Sequence, residues 1–105
     1  MYNVSTNTED IQKEIMKNGP VVALMDVHED FVSYKRGIYV HKSGPLITSK
    51  IVRILGWGSE NNSQYWIGTN SWGIYWGIEG FFKIRRGSNE CRIESRVEAG
   101  LPIIA

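Results

Sequence analysis

Cysteine is almost absent from this chain. Cys91 is the only one in 105 residues, so no internal disulfide can form, and the chain is not one of the small scaffolds held together by several bridges. Histidine is scarce too, with His28 and His41 alone. Two histidines and one cysteine at these spacings make no zinc-site pattern, so neither a metal nor a cofactor is expected. Net charge is nearly missing: twelve Lys and Arg against eleven Asp and Glu leave +1, and no global field recruits nucleic acid or an anionic membrane. No apolar run approaches the ~20 residues of a membrane-spanning helix, and the N-terminus lacks a basic-then-apolar signal pattern, so as given the chain would be made in the cytosol. It carries no internal repeat, low-complexity tract or interdomain linker. Its length allows one small domain, 1–105, or a fragment of a larger one.

What is present centres on Lys50–Gly77. Two apolar runs, Ile51–Trp57 and Tyr65–Thr69, flank the polar stretch Ser59–Gln64 and predict a β-hairpin. The following Asn70-Ser71-Trp72-Gly73 and Trp76-Gly77 set indoles beside glycines, an arrangement suited to burying a polar residue under aromatic cover. Upstream, Thr8-Glu9-Asp10 reads as a cap and acidic first turn. Ile11, Ile15 and Met16 at helical spacing then predict an amphipathic helix to Asn18, stopped by Gly19-Pro20. Val21–Val27 predicts a strand, His28–Tyr34 a short helical turn and Gly37–Val40 a short strand, with Ser43-Gly44-Pro45 a turn. Downstream, Gly80–Gly87 predicts a two-sided strand with Phe82 and Ile84 on one face and Phe81, Lys83 and Arg85 on the other. Cys91–Ala99 reads as a weaker strand or extended segment, then a Gly100–Pro102 turn and an apolar tail, Ile103-Ile104-Ala105. The sum is an α+β domain, an antiparallel barrel-like sheet with one N-terminal flanking helix.

The words GWG, YWIGTNSWG, WG and GFFKIRRG resemble the C-terminal half of the papain-like cysteine peptidases of the cathepsin B branch. Asn18-Gly19-Pro20-Val21, Asp30-Phe31, Tyr34-Lys35, Gly37-Ile38-Tyr39 and Asn89–Ser95 extend the likeness. Within that branch ALMDVHEDF and NECRIES are most similar to the tubulointerstitial nephritis antigen group, whose members look like cathepsin B without being working peptidases. The resemblance covers nearly the whole chain but about half of the family's peptidase domain. It implies the right-hand domain of the papain fold, and a secreted or lysosomal parent with sequence upstream of this chain.

A cysteine peptidase needs a thiolate, an imidazole to hold and return its proton, and a group that orients the imidazole. In the family the nucleophile lies in the N-terminal half, which is not in this sequence. Counting back from Ile54-Leu55-Gly56-Trp57-Gly58 puts Lys50 at the family's histidine, with Thr48-Ser49-Lys50 where Gly-Gly-His is expected. An ordinary lysine amine, with a pKa of ~10.4, is a fixed cation that neither accepts nor donates a proton readily near neutral pH. Asn70 matches the orienting asparagine, with Trp72 as its shield and Trp76 and Gly73 supporting the cleft. With lysine at position 50, Asn70 reads as a vestige kept by loop hydrogen bonds and Trp packing. His28 and His41 fall at neither family position and read as structural or solvated. Cys91 lacks the helix start that lowers a thiol pKa. It corresponds to a non-catalytic cysteine of the family and reads as a buried or half-buried thiol or the partner of a cysteine in the other half. Asn3-Val4-Ser5 and Asn61-Asn62-Ser63 are N-glycosylation sequons.

Two functions follow from the resemblance. One is an inactive, cathepsin B-like module that binds extracellular protein or matrix; the other is part of a cysteine endopeptidase that needs its N-terminal half. A degenerate product without function is the third reading. An isolated chain is expected to expose an apolar patch that includes some of the tryptophans, and to self-associate.

Overall fold

A computed structural model describes residues 2–100. Its elements in chain order are β1 (Tyr2–Val4), α1 (Thr8–Asn18), β2 (Val21–His28), α2 (Glu29–Val32), β3 (Ile38–Tyr39), β4 (Leu46–Glu60), β5 (Ser63–Thr69), β6 (Phe81–Arg85), a 3₁₀ turn (Glu90–Arg92) and β7 (Val97–Ala99). The strands form one seven-stranded sheet in the order β1-β7-β2-β4-β5-β6-β3. Every neighbouring pair is antiparallel except β3 with β6, which is parallel. The α+β architecture with one main helix therefore stands as the sequence predicts, with β1 and β3 as the edges.

Local chemistry explains the elements and their departures from expectation. The cap of α1 is Asn7, one residue ahead of the predicted Thr8, and its side chain accepts from the Glu9 N–H. Ile11 and Ile15, four residues apart, are buried, whereas Met16, about 100° further round the helix, is largely exposed. β2 alternates buried and half-buried residues along its length, the pattern of a strand with one face on the core. The central hairpin is longer than the sequence suggested. Polar residues continue the ladder as Ser59↔Gln64 and Glu60↔Ser63, leaving a two-residue turn in which Asn61 and Asn62 both have positive φ, 51° and 66°. Asparagine tolerates that region, and a turn with two such residues matches strand twist. Leu55 is left over at a bulge between Ile54 and Gly56, which bends β4.

The largest correction concerns Cys91–Ala99. Only Val97–Ala99 is strand; Asn89, Cys91 and Arg92 take left-handed φ of 56°, 52° and 60°, which forces the chain into a 3₁₀ turn. β1 pairs with β7, an edge strand too short to leave a periodic signal. The Gly100–Pro102 turn and the apolar tail fall outside the described residues.

The core joins Ile11 and Ile15 of α1 to Val21, Ala23, Met25, Val52, Ile54, Phe82 and Ile84 of the sheet and to Phe31, Trp66 and Ile93. Phe82 and Ile84 share the buried face of β6, as their spacing predicts. Gly68 makes room for this packing, since a Cβ there would lie 2.6 Å from the Phe82 ring. The buried polar residue is Glu94, 5% exposed. Its carboxylate accepts from Trp66 Nε1 (2.9 Å), the Gly87 N–H (2.7 Å) and the Asn89 N–H (3.2 Å). A buried donor that loses its acceptor keeps its full desolvation cost. Glu94→Ala orphans the buried Trp66 indole N–H, while the Gly87 and Asn89 amides, on exposed residues, turn to water; it is expected to lower unfolding free energy by about 2 kcal/mol, measured as a urea midpoint shift against the parent.

Candidate active site

The pleat and the hairpin together assemble the polar site. Lys50 lies opposite Met25 in the β2–β4 ladder, and Asn70 follows directly after β5. β4 and β5 are neighbours, so the loop leaving β5 meets the first half of β4. There Lys50 Nζ donates to Ser71 Oγ at 3.0 Å and stands 5.9 Å from the centre of the Trp72 ring, within cation–π range. Asn70 Oδ1 accepts the Trp72 N–H at 2.9 Å, a local turn of the kind asparagine favours. Its Nδ2 is buried without a hydrogen-bond partner. Lysine carries donors and no acceptor, so Lys50 cannot pair this amide, whereas the unprotonated nitrogen of an imidazole could.

The aromatic cover is real, but the indoles pack on other rings rather than flat on glycine backbone. Trp72 and Trp76 meet edge-on at 4.9 Å, and both lie against Phe31, at 5.7 and 5.0 Å. Trp76 Nε1 donates to the Val32 carbonyl at 2.9 Å, fastening the loop to α2. Gly73 has φ of 93° in the turn between the two tryptophans, a conformation that glycine adopts freely. Gly77 permits close approach: a Cβ there would lie 2.5 Å from the Phe81 carbonyl. Trp72 and Trp76 are half-buried and so still contribute part of their surface. Among the described residues the exposed large apolar side chains include Leu46, Ile47 and Ile51 on β4 and Ile74 and Tyr75 in the loop.

Both histidines are committed elsewhere. His28 and His41 stack at 3.7 Å, and His28 Nδ1 lies 3.9 Å from Cys91 Sγ. His41 Nδ1 lies 2.9 Å from Asp30 Oδ1. Cys91 is half-buried, and its thiol is pushed up to about 12, by burial first and then by Glu90. That is the reverse of an activated nucleophile. Asp30 organises the cluster. Besides His41 it accepts from Tyr39 Oη and from the Lys42 and Ser43 N–H groups. Partial burial pushes its carboxyl up, but these donors together outweigh burial and hold it well below the usual range. Tyr39 is driven up by burial and by the Asp30 bond and remains the donor.

Sequence reading missed Asp30, Tyr39 and Ser71. Asp30 looked like a carboxylate beside His28, and nothing local marks it as the anchor of Tyr39–Ser43. Asp30→Asn is expected to cost about 2 kcal/mol at neutral pH. A depressed carboxylate stabilises above its unfolded pKa, so the difference between parent and variant should persist to pH ~4 and shrink as pH falls further. Denaturant midpoints from pH 7 to pH 2 check both statements.

The comparisons with known proteins agree with this architecture. A family model described as papain family cysteine protease matches residues 1–101, and the chain belongs to that family. It is 50% identical over 99 residues to a gut-specific cysteine proteinase of Caenorhabditis elegans, covering 94% of this chain and 30% of that protein. Cathepsin B-like cysteine proteinase 1 of Ostertagia ostertagi is 50% identical over 99 residues, with 94% and 29% covered. Among solved structures, procathepsin B S9 of Trypanosoma congolense superposes with a TM-score of 0.91 at 40% identity, over 96% of this chain and 35% of that one. Digestive procathepsin L 3 of Tenebrio molitor gives 0.78 at 28% identity, over 91% and 33%. The chain thus spans about 30% of the curated relatives it matches.

Proposed function

We propose that this chain is the C-terminal lobe of a cathepsin B-like protein that engages extracellular or lysosomal protein or matrix partners without cleaving them, in the manner of the nephritis-antigen group. The observation that carries the reading is Lys50, the residue that counting along β4 sets at the family's histidine. Its ammonium is bound to Ser71 and poised over Trp72, while both histidines belong to the Cys91–Asp30 cluster. A permanent cation can attract a thiolate but cannot shuttle its proton to a leaving amine.

The exposed Leu46, Ile47 and Ile51 of β4 and Ile74 and Tyr75 of the loop offer apolar surface to an N-terminal papain-like half in the parent, and in the isolated chain the same residues drive self-association. The competing reading is a cysteine endopeptidase completed by that half. The names of the relatives, both cysteine proteinases, and the Asn70-Ser71-Trp72 loop favour it. Hydrolysis of a dibasic fluorogenic peptide separates the two. The parent chain and its Lys50→His variant are each combined with a cathepsin B-like N-terminal half carrying its cysteine. Cleavage by the histidine variant alone supports the inactive module, and cleavage by the Lys50 chain sinks it.

A further inference from the structure

We propose that Asn61 is an acceptor for an N-linked glycan, carried at the turn that ends β4, eleven residues along the strand from Lys50. Asn61-Asn62-Ser63 satisfies the acceptor pattern, and the fold puts all three residues at the exposed apex of the β4–β5 hairpin. The positive φ of Asn61 and Asn62 accounts for asparagine at both turn positions, but the turn makes no demand for a hydroxyl at Ser63. Among the described residues, neither the Asn61 amide nor Ser63 Oγ is engaged in a side-chain hydrogen bond, so a glycan there displaces nothing. The other sequon differs. Asn3 stands opposite Glu98 in the β1–β7 ladder, and Ser5 Oγ accepts the Asn7 N–H at the start of α1, at 3.1 Å.

The modification is a group transfer from a lipid-pyrophosphate-linked oligosaccharide. The Asn61 side-chain nitrogen forms a bond to the anomeric carbon of the first N-acetylglucosamine and loses a proton. The bond from that carbon to the pyrophosphate oxygen breaks, and the lipid pyrophosphate leaves with the electron pair. Eleven residues of strand at ~3.3 Å each cap the Lys50–Asn61 separation at about 36 Å, and the bend at the Leu55 bulge shortens it. A glycan at the far end of the hairpin leaves Lys50 and Trp72 free for a partner.

The inference rests on the extracellular or lysosomal reading, so the test imposes the route. The chain is expressed behind a secretory signal in eukaryotic cells, as parent, Asn61→Gln, Ser63→Ala and Asn3→Gln, with and without peptide N-glycosidase. The expected result is a glycosidase-sensitive mass step in the parent and in Asn3→Gln that is lost in both Asn61→Gln and Ser63→Ala. Unchanged glycosylation in Asn61→Gln, or no glycan on the parent, overturns the proposal. Full-length protein from its natural source is assayed alongside. A glycan on the imposed-route chain with none on the natural protein upholds the acceptor and overturns the compartment instead.

Discussion

Replacing Lys50 by histidine, in a protein completed by a thiol-bearing N-terminal half, is expected to raise peptide hydrolysis by on the order of a thousandfold. A positioned acid–base group contributes ~10²–10⁴ in rate, and a residue that fails in a cooperating set forfeits most of what the others supply. Histidine titrates near ~6.5 and can take the thiol proton and return it to the leaving amine, which an ammonium fixed on Ser71 cannot. The gain should follow pH, appearing as the imidazole–thiolate pair forms and falling away in acid. Co-elution of the two halves in size-exclusion chromatography must accompany the assay, since a variant that fails to assemble reads as zero for a different reason. A histidine variant that assembles and stays at the parent's rate would mean that the loop, and not position 50, disables the site.

Cys91 is expected to be nearly inert towards iodoacetamide in the folded protein. Raising a thiol from its ordinary value to about 12 removes on the order of a thousandfold of its thiolate at pH 8. The remaining thiolate is more basic and hence a better nucleophile, which returns roughly twentyfold at a Brønsted slope of 0.4–0.5. The thiolate population wins, leaving alkylation about fiftyfold slower than in the urea-unfolded chain, and half-burial slows it further. The rate should still be climbing at pH 10. A folded-state rate equal to the unfolded one would remove Cys91 from its packed position beside Glu90 and His28 and reopen it as a candidate nucleophile.

The parts legible in the sequence are those whose signal is local. β4 and β5 announce themselves by apolar runs, α1 by the Ile11–Ile15 spacing, and β6 by its alternating faces; each pattern needs only a dozen neighbouring residues. The place of Lys50 on β4 was legible for the same reason, being four residues ahead of Ile54 on one continuous strand. The Asp30–His41–His28–Cys91 cluster was not, because its members meet only after β2, β3 and the 3₁₀ turn are brought together across up to 63 residues of chain. Glu94 between Ile93 and Ser95 gives no hint that it lies under Trp66, 28 residues away. Cys91 and Arg92 of the 3₁₀ turn were read as strand or extended chain because left-handed cysteine and arginine replace the glycine that ordinarily marks such a bend.

The central claim is that a fixed cation stands where a peptidase of this family needs an imidazole. Its most direct test is the full-length natural protein with Lys50 in place, assayed on a dibasic fluorogenic peptide from pH 4 to pH 8, with and without a thiol-directed inhibitor. The account predicts release no faster than the inhibited control at every pH. Turnover that the inhibitor abolishes would contradict it and make Lys50, or a histidine brought in from elsewhere, the working base.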